Sequence, residues 1–297
     1  MKKFEGLGVA MITPFKSDKS VDFKALETIT NYIIDGGCDY LVIMGTTSEA
    51  VTLNREEKEA VTSCIKEINK GRMPLVLGIG SNNTQLVIDT IRNTDFDGID
   101  GILSVSPYYN KPGQKGIHLH FKEISMASPV PIILYNVPGR TNSNIEAETC
   151  LELAWSFDNI VGVKEASGNL SQVMKIIKGK PDNFQVISGD DLIALPIISL
   201  GGSGVISVLG NAFPAEWKEM ISLALKHKIT SSREINYKYM ELIDLLFVEG
   251  NPAGIKSVMN NLGLCQKYLR LPLTGVSRQT NAKIITTIED LKLKQPV

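Results

Sequence analysis

The sequence predicts an α/β chain, a closed (β/α)8 TIM barrel followed by a C-terminal helical extension. Three observations carry this. Short aliphatic runs alternate with amphipathic segments eight times, the pattern of a parallel sheet or barrel. The runs are nearly continuous in Val, Ile and Leu, as strands covered on both faces are. No G-x-G-x-x-G follows the first run, which counts against an open dinucleotide-binding sheet. The 297 residues exceed the about 250 of a simple barrel. The expected division is a catalytic barrel over 1–228 and a helical extension over 229–297.

The first run, Leu7 to Ile12, ends at Thr13-Pro14. Asp22 to Asp35 has helical spacing (Phe23, Leu26, Ile29, Ile33) and stops at Gly36-Gly37. A second strand, Tyr40 to Met44, leads into a loop Gly45-Thr46-Thr47-Ser48-Glu49. Asn54 with Glu57 three residues later reads as a capping box for a helix to about Lys70. Strand three is Leu75 to Gly78, with a helix to about Asp95. Strand four, Gly101 to Val105, ends in Ser106-Pro107-Tyr108-Tyr109, before a helix from about Gly113 to Ser128. Strand five, Ile132 to Asn136, opens into a loop Val137-Pro138-Gly139-Arg140-Thr141, and a helix covers Ala147 to Ser156. The sixth strand carries Lys164 and is followed by a helix near Leu170 to Ile177. Strand seven is Phe184 to Ser188, strand eight Gly204 to Ser207, and Pro214 to His227 supplies a closing helix. Ser231 to Phe247, Pro252 to Leu262 and Asn281 to Leu291 form the extension, which either covers barrel helices or builds an oligomer interface.

Composition narrows the partners. The net charge of −1 offers nothing to nucleic acid or an anionic membrane. Four scattered cysteines, with no CxxC, and three histidines without flanking ligands point away from a metal site and toward a reduced, cytoplasmic setting. The start, Met-Lys-Lys-Phe-Glu-Gly, lacks the apolar run of a signal peptide. Leu192 to Leu209 carries no charge and is long enough to span a bilayer. Pro196, Gly201, Gly202 and Gly204 break it, so it reads as a short helix, a turn and a buried strand.

The sixth strand, Ile160-Val161-Gly162-Val163-Lys164-Glu165-Ala166-Ser167, places a lysine inside a buried run. Burying an ammonium group costs several kcal/mol unless it is paired or neutralised. Burial lowers the pKa of a lysine in general, and a neutral amine attacks carbonyl carbons. Snorkelling to solvent or a structural ion pair are the alternatives.

Catalytic groups of such barrels lie at the C-terminal ends of strands. That rule gathers Thr46, Thr47, Tyr108, Tyr109, Tyr135, Arg140, Lys164, Gly189, Ile206 and Ser207 at one mouth. Singly, each has a plainer explanation. Tyr135 fits a core position, the threonines fit a turn, Arg140 fits a solvated loop, and Tyr109 fits a seal on the barrel rim.

Together, their motifs resemble a known family. Gly-Thr-Thr-Ser-Glu at 45–49, Ser-Pro-Tyr-Tyr-Asn at 106–110, Tyr-Asn-Val-Pro-Gly-Arg-Thr at 135–141 and Gly-Val-Lys-Glu-Ala-Ser at 162–167 are similar to those of the dihydrodipicolinate synthases. So are Ser-Gly-Asp-Asp at 188–191 and Gly-Gly-Ser-Gly-Val-Ile-Ser-Val at 201–208. These are pyruvate-dependent class I aldolases, in one superfamily with N-acetylneuraminate lyase. The resemblance implies condensation of pyruvate with L-aspartate 4-semialdehyde, the first committed step of lysine and diaminopimelate synthesis, with no metal or organic cofactor. Lys164 would form the pyruvate imine, with Tyr135 as proton donor and acceptor. Thr46 and Tyr109 would complete a proton relay, Tyr109 reaching into a neighbouring subunit of a dimer or dimer of dimers. Thr47, with the backbone near Ile206, would hold the pyruvate carboxylate, Gly189 would belong to the same substrate site, and Arg140 would hold the semialdehyde carboxylate. Ser48 departs from the glycine usual in the Gly-Thr-Thr-Gly-Glu loop and requires a negative φ there.

A sugar-acid aldolase using the same Schiff base is the enzymatic alternative, and Arg140 argues against it. A non-catalytic barrel would be expected to lose Lys164 or Tyr135. A second departure concerns regulation. Lysine-inhibited members bind lysine at a dimer interface, and the matching positions here are Ala50, Val51, Arg55, Lys58, Asn82, Leu86 and Tyr108. Leu86 replaces the glutamate that would pair the ligand's amino group, so feedback by lysine is expected to be absent.

Overall fold

A computed structural model of the chain describes residues 3–293; residues 1–2 and 294–297, which belong to the outer ends of the 1–228 and 229–297 stretches, lie outside the described residues. Eight parallel strands close on themselves in sequence order, β1-β2-β3-β4-β5-β6-β7-β8, with β8 pairing back to β1. The strands are β1 Gly6–Ala10, β2 Tyr40–Ile43, β3 Leu75–Gly78, β4 Gly101–Val105, β5 Ile132–Asn136, β6 Ile160–Glu165, β7 Gln185–Ser188 and β8 Gly204–Ser207. Around them run α1 Phe23–Asp35, α2 Arg55–Asn69, α3 Thr84–Arg92, α4 Gln114–Ala127, α5 Pro138–Thr141, α6 Ala147–Ser156, α7 Leu170–Gly179, α8 Ala194–Ser199 and α9 Pro214–Leu225. Beyond α9 come α10 Ile229–Phe247, α11 Ala253–Asn261 and α12 Arg278–Leu293.

The core has two layers. Inside the barrel, Phe4, Tyr40, Val42, Val76, Leu103 and Ile133 pack together in the interior. Between strands and helices lies a larger aliphatic layer. Alternate residues of each strand serve the two layers, which is why the runs read as continuous aliphatic sequence.

The helix signals in the sequence have physical counterparts. Asp22 caps α1 by accepting from Ala25 N at 3.1 Å. Asn54 and Glu57 form the reciprocal capping box of α2, with Asn54 Oδ1 accepting from Glu57 N at 2.8 Å and Glu57 Oε2 from Asn54 N at 3.1 Å. The uncharged stretch 192–209 is α8, a glycine turn and β8, and no helix among the described residues is long and apolar enough to cross a membrane.

Several expected boundaries move, each for a local reason. β1 stops at Ala10 rather than Ile12, because Asn211 takes over: its Nδ2 donates to Ala10 O at 2.8 Å and its Oδ1 accepts from Ile12 N at 3.1 Å. Phe184 drops out of β7, its N–H donating instead to Pro181 O in a turn. The segment read as a loop after β5 is the single helical turn α5, whose N1 position holds Pro138, where a missing N–H costs nothing. The Gly45–Glu49 loop is a 3₁₀ turn, Thr46–Ser48, followed by a second at Ala50–Thr52. α10 packs on α9 and α8, and α11 on the turn after β8, so the C-terminal helices lie over the last strands and reach the mouth.

Candidate active site

Lys164 is 6% exposed and points into the barrel mouth because β6 carries one extra residue. Ile132 pairs with Ile160, but Ile133 pairs with Gly162, so Val161 is inserted into the ladder. An insertion of one residue reverses which side chains face inward beyond it. Ile160 and Val163 therefore join the outer layer, whereas Val161 packs on the inner one and Lys164 faces the cavity. Gly162 permits this, since a Cβ there would lie 2.8 Å from Gln185 O on β7.

The cavity at this mouth holds about 240 Å³ and is lined by Thr46, Thr47, Tyr135, Arg140, Lys164 and Gly189. Six of the eight residues expected at the site are thus brought together. Lys164 Nζ stands 4.5 Å from the centroid of the Tyr135 ring, its register partner on β5. Among the described residues, no carboxylate pairs with Lys164. Glu165, next in the chain, faces outward and is fully engaged there. Its Oε1 accepts from Ser167 N at 2.7 Å, and its Oε2 from Gln172 Nε2 at 2.8 Å and Asn136 Nδ2 at 3.0 Å.

Gly189 gives the lysine its room. A Cβ there would come within 2.7 Å of Ala166 Cβ and 3.0 Å of Lys164 Cε. Arg140 is exposed on α5 at the rim, and Thr46 is exposed on the turn after β2. Thr47 is buried, and its Oγ1 accepts from Asn251 Nδ2 at 2.9 Å.

Two expected residues lie elsewhere. Ile206 is fully buried in the inner layer beneath the cavity, and Val208, two residues on, lines it instead. β8 ends at Ser207 and turns over the mouth there, so its last inward side chain belongs to the floor. Tyr109 is 84% exposed with φ 73°, outside the cavity of its own chain, while Tyr108 is half-buried. Ser48 meets its requirement: the left-handed residue of that loop is Glu49 (φ 53°), and Ser48 Oγ donates to Met11 O at 2.7 Å.

Sequence reasoning missed three wall residues, Asp190, Phe247 and Asn251. Burial is the main cause pushing the Asp190 carboxyl above its usual range, with Asp244 adding to it. Its neighbour Asp191 is fully buried, accepting from Val208 N (2.8 Å), Leu209 N (3.0 Å) and Trp217 Nε1 (2.8 Å), and so fixes the loop after β8. Asn251 lies 204 residues from Thr47, and nothing local in the sequence marks it. Among the described residues, no group of three or more His, Cys, Asp or Glu is placed to hold a metal ion.

Comparison with known proteins decides the family. Residues 3–291 match the model of the dihydrodipicolinate synthetase family. The chain belongs to that family. It is 52% identical to a 4-hydroxy-tetrahydrodipicolinate synthase of Flavobacterium psychrophilum, over 96% of this chain and 97% of that one. A crystal structure of dihydrodipicolinate synthase from Aquifex aeolicus superposes with a TM-score of 0.94 at 39% identity, covering 99% of this chain and 100% of that one. The Cyanidioschyzon merolae enzyme, with lysine bound, gives 0.95 at 36% identity, over 99% and 100%. Membership accounts for the closed barrel and its C-terminal helices together.

Proposed function

We propose that this family member condenses pyruvate with L-aspartate 4-semialdehyde to give 4-hydroxy-tetrahydrodipicolinate, using Lys164 as a Schiff-base nucleophile and no external cofactor. The observation that carries the reading is an amine without a carboxylate partner in the barrel mouth, 4.5 Å from the Tyr135 ring. Lys164 Nζ attacks the pyruvate carbonyl carbon, and loss of water leaves the imine. The imine is an electron sink, so the pyruvate methyl group gives up a proton and becomes an enamine carbon. That carbon attacks the aldehyde. The amino group of the semialdehyde then adds to the imine carbon, closes the ring and releases Lys164.

These steps need proton transfers at nitrogen and oxygen, which we assign to Tyr135 with Thr46. Thr47 and the close approach allowed by Gly189 are assigned to the pyruvate carboxylate, with Ile206 contributing only to the floor. Arg140 is assigned to the semialdehyde carboxylate, since a guanidinium at the rim can grip it through two hydrogen bonds. Pyruvate with borohydride should inactivate the enzyme and add a reduced pyruvyl group to the peptide containing Lys164, as mass spectrometry would show. Labelling at another lysine defeats the mechanism. Lys164→Ala should lose most of its rate.

Arg140→Ala should hurt use of the semialdehyde by about 2–4 kcal/mol in transition-state binding. Borohydride trapping of pyruvate should be left nearly intact. Equal damage to both steps would move Arg140 to the first substrate.

Tyr109 cannot join the site from its own chain, so we assign its place in the relay to a neighbouring subunit of a dimer or dimer of dimers. Sedimentation should then find the active enzyme oligomeric, and a fully active monomer would remove Tyr109 from the mechanism.

L-Lysine should not inhibit. Leu86 is 54% exposed where lysine-binding members are expected to carry a glutamate, so the ligand's ammonium would lack a counter-ion. Arg55 and Lys58 would add positive charge beside a cationic ligand, although Arg55 Nε donates to Glu59 Oε1 at 2.7 Å. A dose–response assay with a midpoint below about 1 mM, equivalent to about −4 kcal/mol, would show that lysine is still recognised.

A further inference from the structure

We propose that the buried Glu49–Lys256 ion pair positions the Thr46–Thr47 turn, so that the C-terminal helices set the affinity for the first substrate. The inference rests on the assignment of Thr47 to the pyruvate carboxylate.

Both side chains of the pair are 0% exposed. Glu49 ends the 3₁₀ turn that carries the two threonines: its N–H donates to Thr46 O at 3.1 Å, in a left-handed conformation. Such a conformation costs a non-glycine residue on the order of 1 kcal/mol. Here both carboxylate oxygens are held by the C-terminal segment. Oε1 accepts from Lys256 Nζ at 2.5 Å, and Oε2 from the backbone N–H of Arg270 at 3.0 Å. Lys256 is fixed in turn, since Nζ also donates to Tyr268 O at 3.0 Å and lies 4.1 Å from the Phe15 ring centroid.

A second contact from the start of α11 reaches the same turn, the bond from Asn251 Nδ2 to Thr47 Oγ1. Arg270 closes the clamp from the solvent side. Its guanidinium donates to both oxygens of Glu57 and to Thr52 O, tying the segment between the turn and α2 to the chain near α11.

Stability alone gives little reason for such a pair. The desolvation of two buried charges roughly cancels their attraction, and an apolar pair of the same volume would hold the fold as well. Directional hydrogen bonds supply what apolar packing cannot, a single register for the turn. Glu49 and Lys256 touch no reacting atom and are positioning residues.

The test compares Glu49→Gln, Lys256→Met, the double variant and Thr47→Val, in the full chain, by KM for each substrate, kcat and Tm. Each single change at the pair should raise the pyruvate KM about tenfold, leave the semialdehyde KM within about twofold, and combine in the double variant to less than the product of the singles. Lys256→Arg, which keeps the charge, should recover part of the loss. Leu153→Ala, a core truncation on α6, should lower Tm without moving the pyruvate KM. A fall in Tm with unchanged pyruvate KM in the pair variants would overturn the proposal, leaving the pair as glue. If Thr47→Val leaves the pyruvate KM unchanged, the carboxylate assignment fails and takes this inference with it. Should the pair variants not fold, Arg270→Gln carries the test from the solvent side: a pyruvate KM raised about threefold supports positioning, and an unchanged one refutes it.

Discussion

The mouth of this barrel depends on one inserted residue. Were Val161 paired regularly with Ile133 instead of bulged out of the β5–β6 ladder, strand alternation would turn Lys164 toward the helices and Glu165 into the cavity. A carboxylate would then occupy the place of the amine, and the ammonium would be pressed into an aliphatic layer. With the insertion, Glu165 spends its oxygens on Ser167, Gln172 and Asn136 outside the barrel. The two opposite charges, adjacent in sequence, are kept on opposite faces of one strand. Separation by the sheet keeps the amine out of a salt bridge with its neighbour in the chain.

Two of the described lysines are well buried, and the fold treats them in opposite ways. Lys256 is paired with Glu49, bonded to Tyr268 O and stacked over Phe15. Burial pulls its pKa down while Glu49 pushes back. Lys164 has the Tyr135 ring and open cavity instead. A structural lysine needs its charge neutralised by a partner; a nucleophilic one needs a partner withheld. Pairing, rather than burial, distinguishes the two.

Much of the architecture was legible because it is written in local pattern. Runs such as Leu75–Gly78, Gly101–Val105 and Ile132–Asn136 are strands over the residues their composition marks, since both faces of each are buried. The capping box at Asn54 is local and was legible for the same reason. Six residues that line the cavity followed from the strand-end rule joined to motif resemblance. What escaped is non-local. The Asn251–Thr47 and Lys256–Glu49 contacts join residues 204 and 207 positions apart, and no periodicity encodes such a pair. The bulge escaped because Ile-Val-Gly-Val is aliphatic on both faces, so a change of parity leaves no trace in hydropathy. The depth of the Ile206 side chain, in the inner layer rather than at the cavity wall, is likewise invisible in hydropathy.

Backbone conformation carries the same asymmetry between the mouth and the rest of the molecule. Seven described non-glycine residues adopt positive φ, and four of them, Met44, Glu49, Tyr109 and Asn142, lie in loops that follow β2, β4 and β5. Lys70 and His227 occur just past helix ends, where a left-handed residue is an ordinary terminator, and Glu49 and Asn142 likewise close the short turns Thr46–Ser48 and Pro138–Thr141. The four at the mouth cost on the order of 1 kcal/mol each, and nothing about closing a barrel demands them. Glu49 shows how that cost is met, by Lys256 and the Arg270 N–H from the far end of the chain. Tyr109 has no such support within its own chain, being exposed on a strained loop. A conformation that is costly and without support in its own chain is one that a contact from outside the chain would stabilise.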